Sequence, residues 1–219
     1  MSTRITSPSP SAPALLREAR SVCTRSLAFA AISVPVFGAA IGTVPALTGL
    51  ALFAGLLFAV ERGVTAHHPH PRLGIANRIT LVRAAIACLI AARAIEPAPL
   101  GAPERWLFAA IAAAALMLDG ADGWAARRQG LASAFGARFD LEVDAFAILV
   151  LSITVVKAHA VPFWVLAIGS MRYLYLAATL AVPLLRRPLP PRRVADGRRK
   201  TIAVVQSIGL TIALVPATL

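Results

Sequence analysis

Residues 26–60 form an almost unbroken apolar run. A membrane-crossing helix takes about 20 such residues, so the run is too long for one span. Residues 42–45, GTVP, supply a turn, and the stretch reads as two helices, about 26–42 and 46–61, with Pro35 placed to kink the first. A cleaved signal peptide ending near Ala39 and Ala40 is the alternative reading of the first segment. Composition points the same way: 58% of the 219 residues are hydrophobic and mean hydropathy is +0.74. A soluble domain of this length carries more charge.

Five further helices are expected beyond the run, at about 77–94, 104–128, 134–156, 162–184 and 201–215. The predicted fold is all-α: a polytopic transmembrane helical bundle of about seven spans. Its parts are a disordered basic N-terminus at 1–25, two transmembrane helices within 26–62, and one further domain at 72–219. The basic residues test the topology. Arg17, Arg20 and Arg25, then Arg62, Arg72 and Arg78, then Arg127, Arg128 and Arg138, and finally the basic loop at 186–200 all fall on one side of seven spans. The opposite loops hold little beyond Arg93, Arg105 and Lys157. Positive loops stay in the cytoplasm, which places the N-terminus there and the C-terminus outside.

Lys and Arg number 22 against 10 Asp and Glu, a formal net charge of +12. The excess orients the helices and attracts anionic headgroups. No basic domain with interleaved aromatics stands outside the spans, which argues against nucleic acid as a partner. Cys23 and Cys88 fit no disulfide framework. The histidines of HHPHP at 67–71 match no zinc spacing and read as a solvated loop.

Four aspartates, Asp119, Asp122, Asp140 and Asp144, interrupt this apolar background within 26 residues. Ionised carboxylates near a membrane are costly unless paired or bound to metal. Asp119 and Asp122 are three apart and Asp140 and Asp144 four apart, so each pair projects from one helix face. Two such faces brought together make an oxygen cage for Mg²⁺ or Mn²⁺. Helical rise lets the pairs meet. Counted from Arg105, Asp119 lies roughly 21 Å and Asp122 roughly 26 Å inward. Counted from Lys157 on the antiparallel neighbour, Asp144 lies roughly 20 Å and Asp140 roughly 26 Å inward. In a hydrocarbon core of ~30 Å all four sit one or two turns from the cytoplasmic boundary. Arg83, six residues into its helix, is level with Asp119 and Asp144. Arg172 is near mid-helix, and an intramembrane Arg takes a carboxylate, a phosphate or a water-filled cavity as partner. Glu142 points away from Asp140 and Asp144 by helical angle.

With Gly123, Ala126, Arg127 and Gly136 included, the stretch spells D-x-x-D-G-x-x-A-R-x8-G-x3-D-x3-D. It resembles the CDP-alcohol phosphatidyltransferases, integral membrane enzymes of phospholipid biosynthesis. NRITLVR at 77–83 resembles the segment that opens that family's catalytic domain, which makes 72–219 the catalytic domain here. The family has six spans from that point, and this chain has five, with two before them.

The resemblance implies a transferase that moves a phosphatidyl group from CDP-diacylglycerol to the hydroxyl of a small polar alcohol and releases CMP. It implies two divalent cations, Mg²⁺ or Mn²⁺, on Asp119, Asp122 and Asp140. Asp144 would share a metal and act as the catalytic base. Asp122, Gly123, Ala126, Arg127 and Gly136 would bind the nucleotide; the three small residues would let the nucleotide and helix backbones approach closely. Arg83, Arg172, Arg193, Arg198 and Lys200 are candidates for an acceptor or a phosphate. A homodimer in a bacterial inner membrane, its active site facing the cytoplasm, completes the expectation. Two alternatives stand beside it: a CDP-alcohol phosphotransferase with a lipid hydroxyl as acceptor, and a small cation-coupled multispan transporter.

Overall fold

The computed structural model describes residues 12–67, 72–129, 133–182 and 195–216, with the side chains of 12–13, 65–67, 121–129 and 195–200 set aside. Described residues form seven α-helices and no strand: α1 Ala12–Ile41, α2 Thr43–His67, α3 Gly74–Ile95, α4 Ala102–Gln129, α5 Ala134–Lys157, α6 Val165–Ala181 and α7 Ala195–Leu214. Three of them are long and apolar enough to cross a membrane, over Ala14–Ile41, Thr43–Val64 and Gly74–Ile95. The 165–181 and 201–214 helices are shorter and apolar. The chain is an all-α helical bundle.

Of the segment expected to be disordered at 1–25, residues 12–25 are helical, because α1 begins at Ala12, and residues 1–11 lie outside the described residues. Leu15, Ala19, Val22 and Cys23 are buried, at the spacing of one helix face, while Arg17, Arg20 and Arg25 are exposed on the others. Basic composition hid an apolar stripe that has a surface to pack on. Glu18 on this extension accepts a 2.9 Å hydrogen bond from Arg78 Nη2 at the start of α3. The turn after α1 falls at Gly42, whose φ of +97° favours a residue without a side chain. α2 then starts at Thr43 rather than near 46, since Pro45 fits the first turn of a helix, where no amide partner is required.

α3 is the axis of the bundle. It packs against α1, α2, α4 and α5. Twelve of its residues are buried, spread around most of its circumference rather than along one stripe, while Ile75, Arg78 and Val82 leave one side exposed. Its N-terminal half joins α1, α2 and α5 in one apolar cluster that includes Phe53, Leu57, Leu81 and Val143. Its C-terminal half joins α4, α5 and α7 in a second, around Phe108, Ile148, Val155 and Leu214.

The far end from the aspartates is closed by cations that bond to helix ends. Arg93 donates from Nε to Glu104 Oε1 at 2.6 Å, from Nη2 to Glu104 Oε2 at 2.9 Å, and to the carbonyls of Ala98 and Pro99 at 3.0 and 2.8 Å. Lys157 donates to the last carbonyls of α3, Arg93 O at 3.0 Å and Ala94 O at 3.2 Å, and to Glu96 O. Arg105 donates to Leu214 O at the end of α7, at 3.2 Å. Helix C-termini leave carbonyls without intrahelical donors and favour positive charge there.

Candidate active site

Three helices deliver the site. Asp119 comes from α4, Asp140 and Asp144 from successive turns of one face of α5, and Arg83 from α3 between them. α5 is held in place at its first turn. Ser133 caps it, its Oγ accepting from Gly136 N at 3.0 Å. Gly136 also faces Asn77, whose Oδ1 would stand 3.0 Å from any Cβ added there. Asn77 is itself buried and fixed by a hydrogen bond from Nδ2 to Leu73 O, at 2.5 Å. A Cβ at 136 would crowd the Asn77 amide at 3.0 Å and the Ser133 hydroxyl at 3.3 Å, so a glycine suits the close contact of α5 with α3 here.

One oxygen from each of Asp119, Asp140 and Asp144 lies within 4.8 Å of the others. Arg83 Nη1 donates to Asp140 Oδ1 at 2.8 Å and forms an ion pair at 3.0 Å with Asp119 Oδ1, whose angle falls short of a hydrogen bond. Its Nη2 donates to Asp144 Oδ1. Exposure is graded across the cluster. Asp119 and Arg83 side chains are 8% and 7% exposed, Asp144 23% and Asp140 32%, so Asp119 is the floor and the opening lies toward Asp140.

This donor set suits a hard divalent cation. Oxygens bound to Mg²⁺ at 2.0–2.1 Å stand about 3 Å apart when adjacent and about 4 Å apart when opposite. The three ligand oxygens, within 4.8 Å of one another, stand close to that spacing. Among the described side chains the cluster holds three carboxylates and one guanidinium, leaving excess negative charge in a part-buried place. Such charge calls for cations. Beside the carboxylates a cavity of about 50 Å³ is lined by Arg83, Asp119, Asp144 and by Val204 and Ser207 of α7. That is room enough for a water-sized group. α7 was missed as a wall of the site, because nothing in its apolar pattern singles out Ser207.

The remaining sequence candidates are placed elsewhere or lie outside the description. Asp122, Gly123, Ala126 and Arg127 sit in the last turns of α4, but their side chains are outside the described residues. Arg198 and Lys200 are in the first turns of α7 with the same status, and Arg193 is outside altogether. Arg172 is not in the carboxylate cluster. It pairs with Glu142, on a different face of α5 from Asp140 and Asp144.

Fold and site together define a polytopic α-helical membrane protein with a carboxylate cluster between three of its helices. The CDP-alcohol phosphatidyltransferase family model matches residues 73–218, well over half of the chain, and the chain belongs to that family. No curated protein and no solved structure matches it. Membership makes it a membrane transferase that moves a substituted phosphate group from a CDP-alcohol to an acceptor. The family uses divalent cations, for which Asp119, Asp140 and Asp144 offer ligands.

Proposed function

We propose that the chain transfers the phosphatidyl group of CDP-diacylglycerol to the hydroxyl of a small polar alcohol, with release of CMP. The observation that carries this reading is the convergence of Asp119, Asp140 and Asp144 from α4 and α5, at the motif spacing, on one part-buried point. Asp119, Asp122, Asp140 and Asp144 would hold two divalent cations, Mg²⁺ or Mn²⁺. Bound there, the cations would offset the diphosphate charge and the charge that develops on the entering and leaving oxygens.

The chain's own groups do the rest. Asp144 is half-way up the exposure gradient, where it can reach both the cluster and an entering alcohol, and it takes the proton of the attacking hydroxyl. Asp119, deepest in the cluster, has the least freedom to move and fixes the floor. Arg83 holds the three carboxylates together and stands ready to meet phosphate oxygens as the cluster reorganises. Asp122, Gly123, Ala126 and Arg127, on the last turns of α4, receive the nucleotide with Gly136. Arg193, Arg198 and Lys200 are candidates for a phosphorylated acceptor. Arg172 loses ground for that role to its ion pair with Glu142. We place the protein in a bacterial inner membrane, with seven spans and the carboxylates toward the cytoplasm, because the cations at the other end are engaged at helix ends and loop carbonyls. The homodimer is carried by the family resemblance.

The test is a CMP-release assay on purified protein with CDP-diacylglycerol, Mg²⁺ or Mn²⁺, and each of a panel of alcohols. Release with one alcohol, lost on chelation and restored by added metal, is the expected result. Release only when the diacyl donor is replaced by CDP-choline or CDP-ethanolamine with diacylglycerol as acceptor would overturn it.

A further inference from the structure

An apolar groove of about 500 Å³ runs along the bundle between α1, α2 and α3. Phe29, Ser33 and Phe37 of α1 form one wall, Val82 and Leu89 of α3 the other, and buried Phe53 of α2 lies at its base. Arg25 and Ser26 stand at one end. Two features tie the groove to the carboxylates. Ile86, one turn along α3 from Arg83, lines both the groove and the carboxylate cavity. On α4, Ile111 faces the groove while its neighbour Ala112 faces the cavity.

We propose that this groove holds one acyl chain of the lipid donor, which enters from the carboxylate site past Ile86. The inference rests on the function proposed above and assigns a subsite to α1 and α2, helices that lie outside the family match at residues 73–218. Dimensions select the occupant. From Arg25 to Phe37 the groove is twelve residues long, roughly 18 Å at helical rise. One leaflet of a ~30 Å hydrocarbon core is about 15 Å deep. Charge agrees with shape. Arg25 is the single ionic residue of the lining and stands at the end where the carboxylates lie, which is where a phospholipid carries its phosphate. Because the surrounding bilayer is as apolar as the groove, burial there adds little affinity. The groove acts by orienting the chain, and hence the diphosphate, toward the site.

The experiment uses the full chain in phosphatidylcholine nanodiscs and a CDP-diacylglycerol carrying a photoreactive diazirine mid-way along one acyl chain. Adducts should map to residues 26–37 and 46–53, and should be competed by unlabelled CDP-diacylglycerol but not by phosphatidylglycerol. Ser33→Trp should lower that labelling and reduce the preference for a dioleoyl over a dioctanoyl donor about fivefold, through kcat rather than KM, as loss of orientation rather than of affinity requires. Ile32→Trp, at a position 76% exposed beside the groove but not lining it, should keep the preference. Adducts confined to other helices would overturn the proposal. So would equal labelling by a phosphatidylglycerol probe without competition, or full retention of chain-length preference by folded Ser33→Trp. Absence of CMP release from the wild type would sink the functional reading instead, and the adduct map would still decide where the acyl chain lies.

Discussion

The two ends of the bundle use the same ingredients in opposite proportions. At the end away from the aspartates Arg93 meets one carboxylate, Glu104, in a two-pronged pair, and two further N–H groups reach the carbonyls of Ala98 and Pro99. Both side chains are well covered, at 6% and 17% exposure. Charges cancel and the geometry is closed. At the aspartate end Arg83 is shared among Asp119, Asp140 and Asp144, and two of those carboxylates are a quarter to a third exposed. Stoichiometry, more than burial, separates the two. A balanced pair with four of the five guanidinium N–H groups engaged is a brace; a carboxylate excess around one guanidinium, open on one side, is a place for more cations.

That contrast can be broken by substitution. The largest effect is expected inside the open cluster: Asp144→Asn should lower CMP release about 1,000-fold, or ~4 kcal/mol of barrier, while leaving the unfolding temperature near that of the wild type. Full activity in folded Asp144→Asn would remove it as base. Arg93→Ala should act in the reverse sense. Loss of one partner from a buried pair costs about 3–5 kcal/mol, so thermal unfolding in detergent should fall steeply while the folded fraction keeps its turnover. A catalytic loss without a stability loss would mean the Arg93–Glu104 pair is not a brace. Gly136→Ala, which crowds the Asn77 amide at the α3–α5 contact, should cut activity by about tenfold, ~1.4 kcal/mol. Adding Asn77→Ala should restore part of it, and no rescue would show that the contact is not the cause. Smallest of all, Glu18→Gln breaks a partly exposed ion pair with Arg78 and should change stability by less than ~1 kcal/mol in the same melt.

Legibility in the sequence followed the range of the interactions. Helices α3 and α5 begin and end within three residues of where apolar runs and turns put them, because backbone bonding and local signals such as Ser133 act over a few positions. The level of Arg83 with Asp119 and Asp144 was also readable, since rise per residue is the same in any helix. The N-terminal extension of α1 was not. Its stripe at Leu15, Ala19, Val22 and Cys23 is apolar enough to fold only against a surface that α2 and α3 supply. Arg172 is a similar case. Nothing in its neighbours announces Glu142, thirty positions away, as its partner.

By itself the sequence determined the class of molecule and the chemistry it carries. Apolar runs of span length demand helices in lipid, and eight motif positions with fixed spacing put carboxylates on facing helix turns. Tertiary packing alone decided what those carboxylates meet. That Arg83 serves three of them, that α7 closes the cavity beside them, and that α1 and α2 build a groove reaching Ile86 all depend on how helices rotate and slide against one another. Those rotations are set by side-chain interdigitation across helices far apart in the chain, which no local pattern encodes.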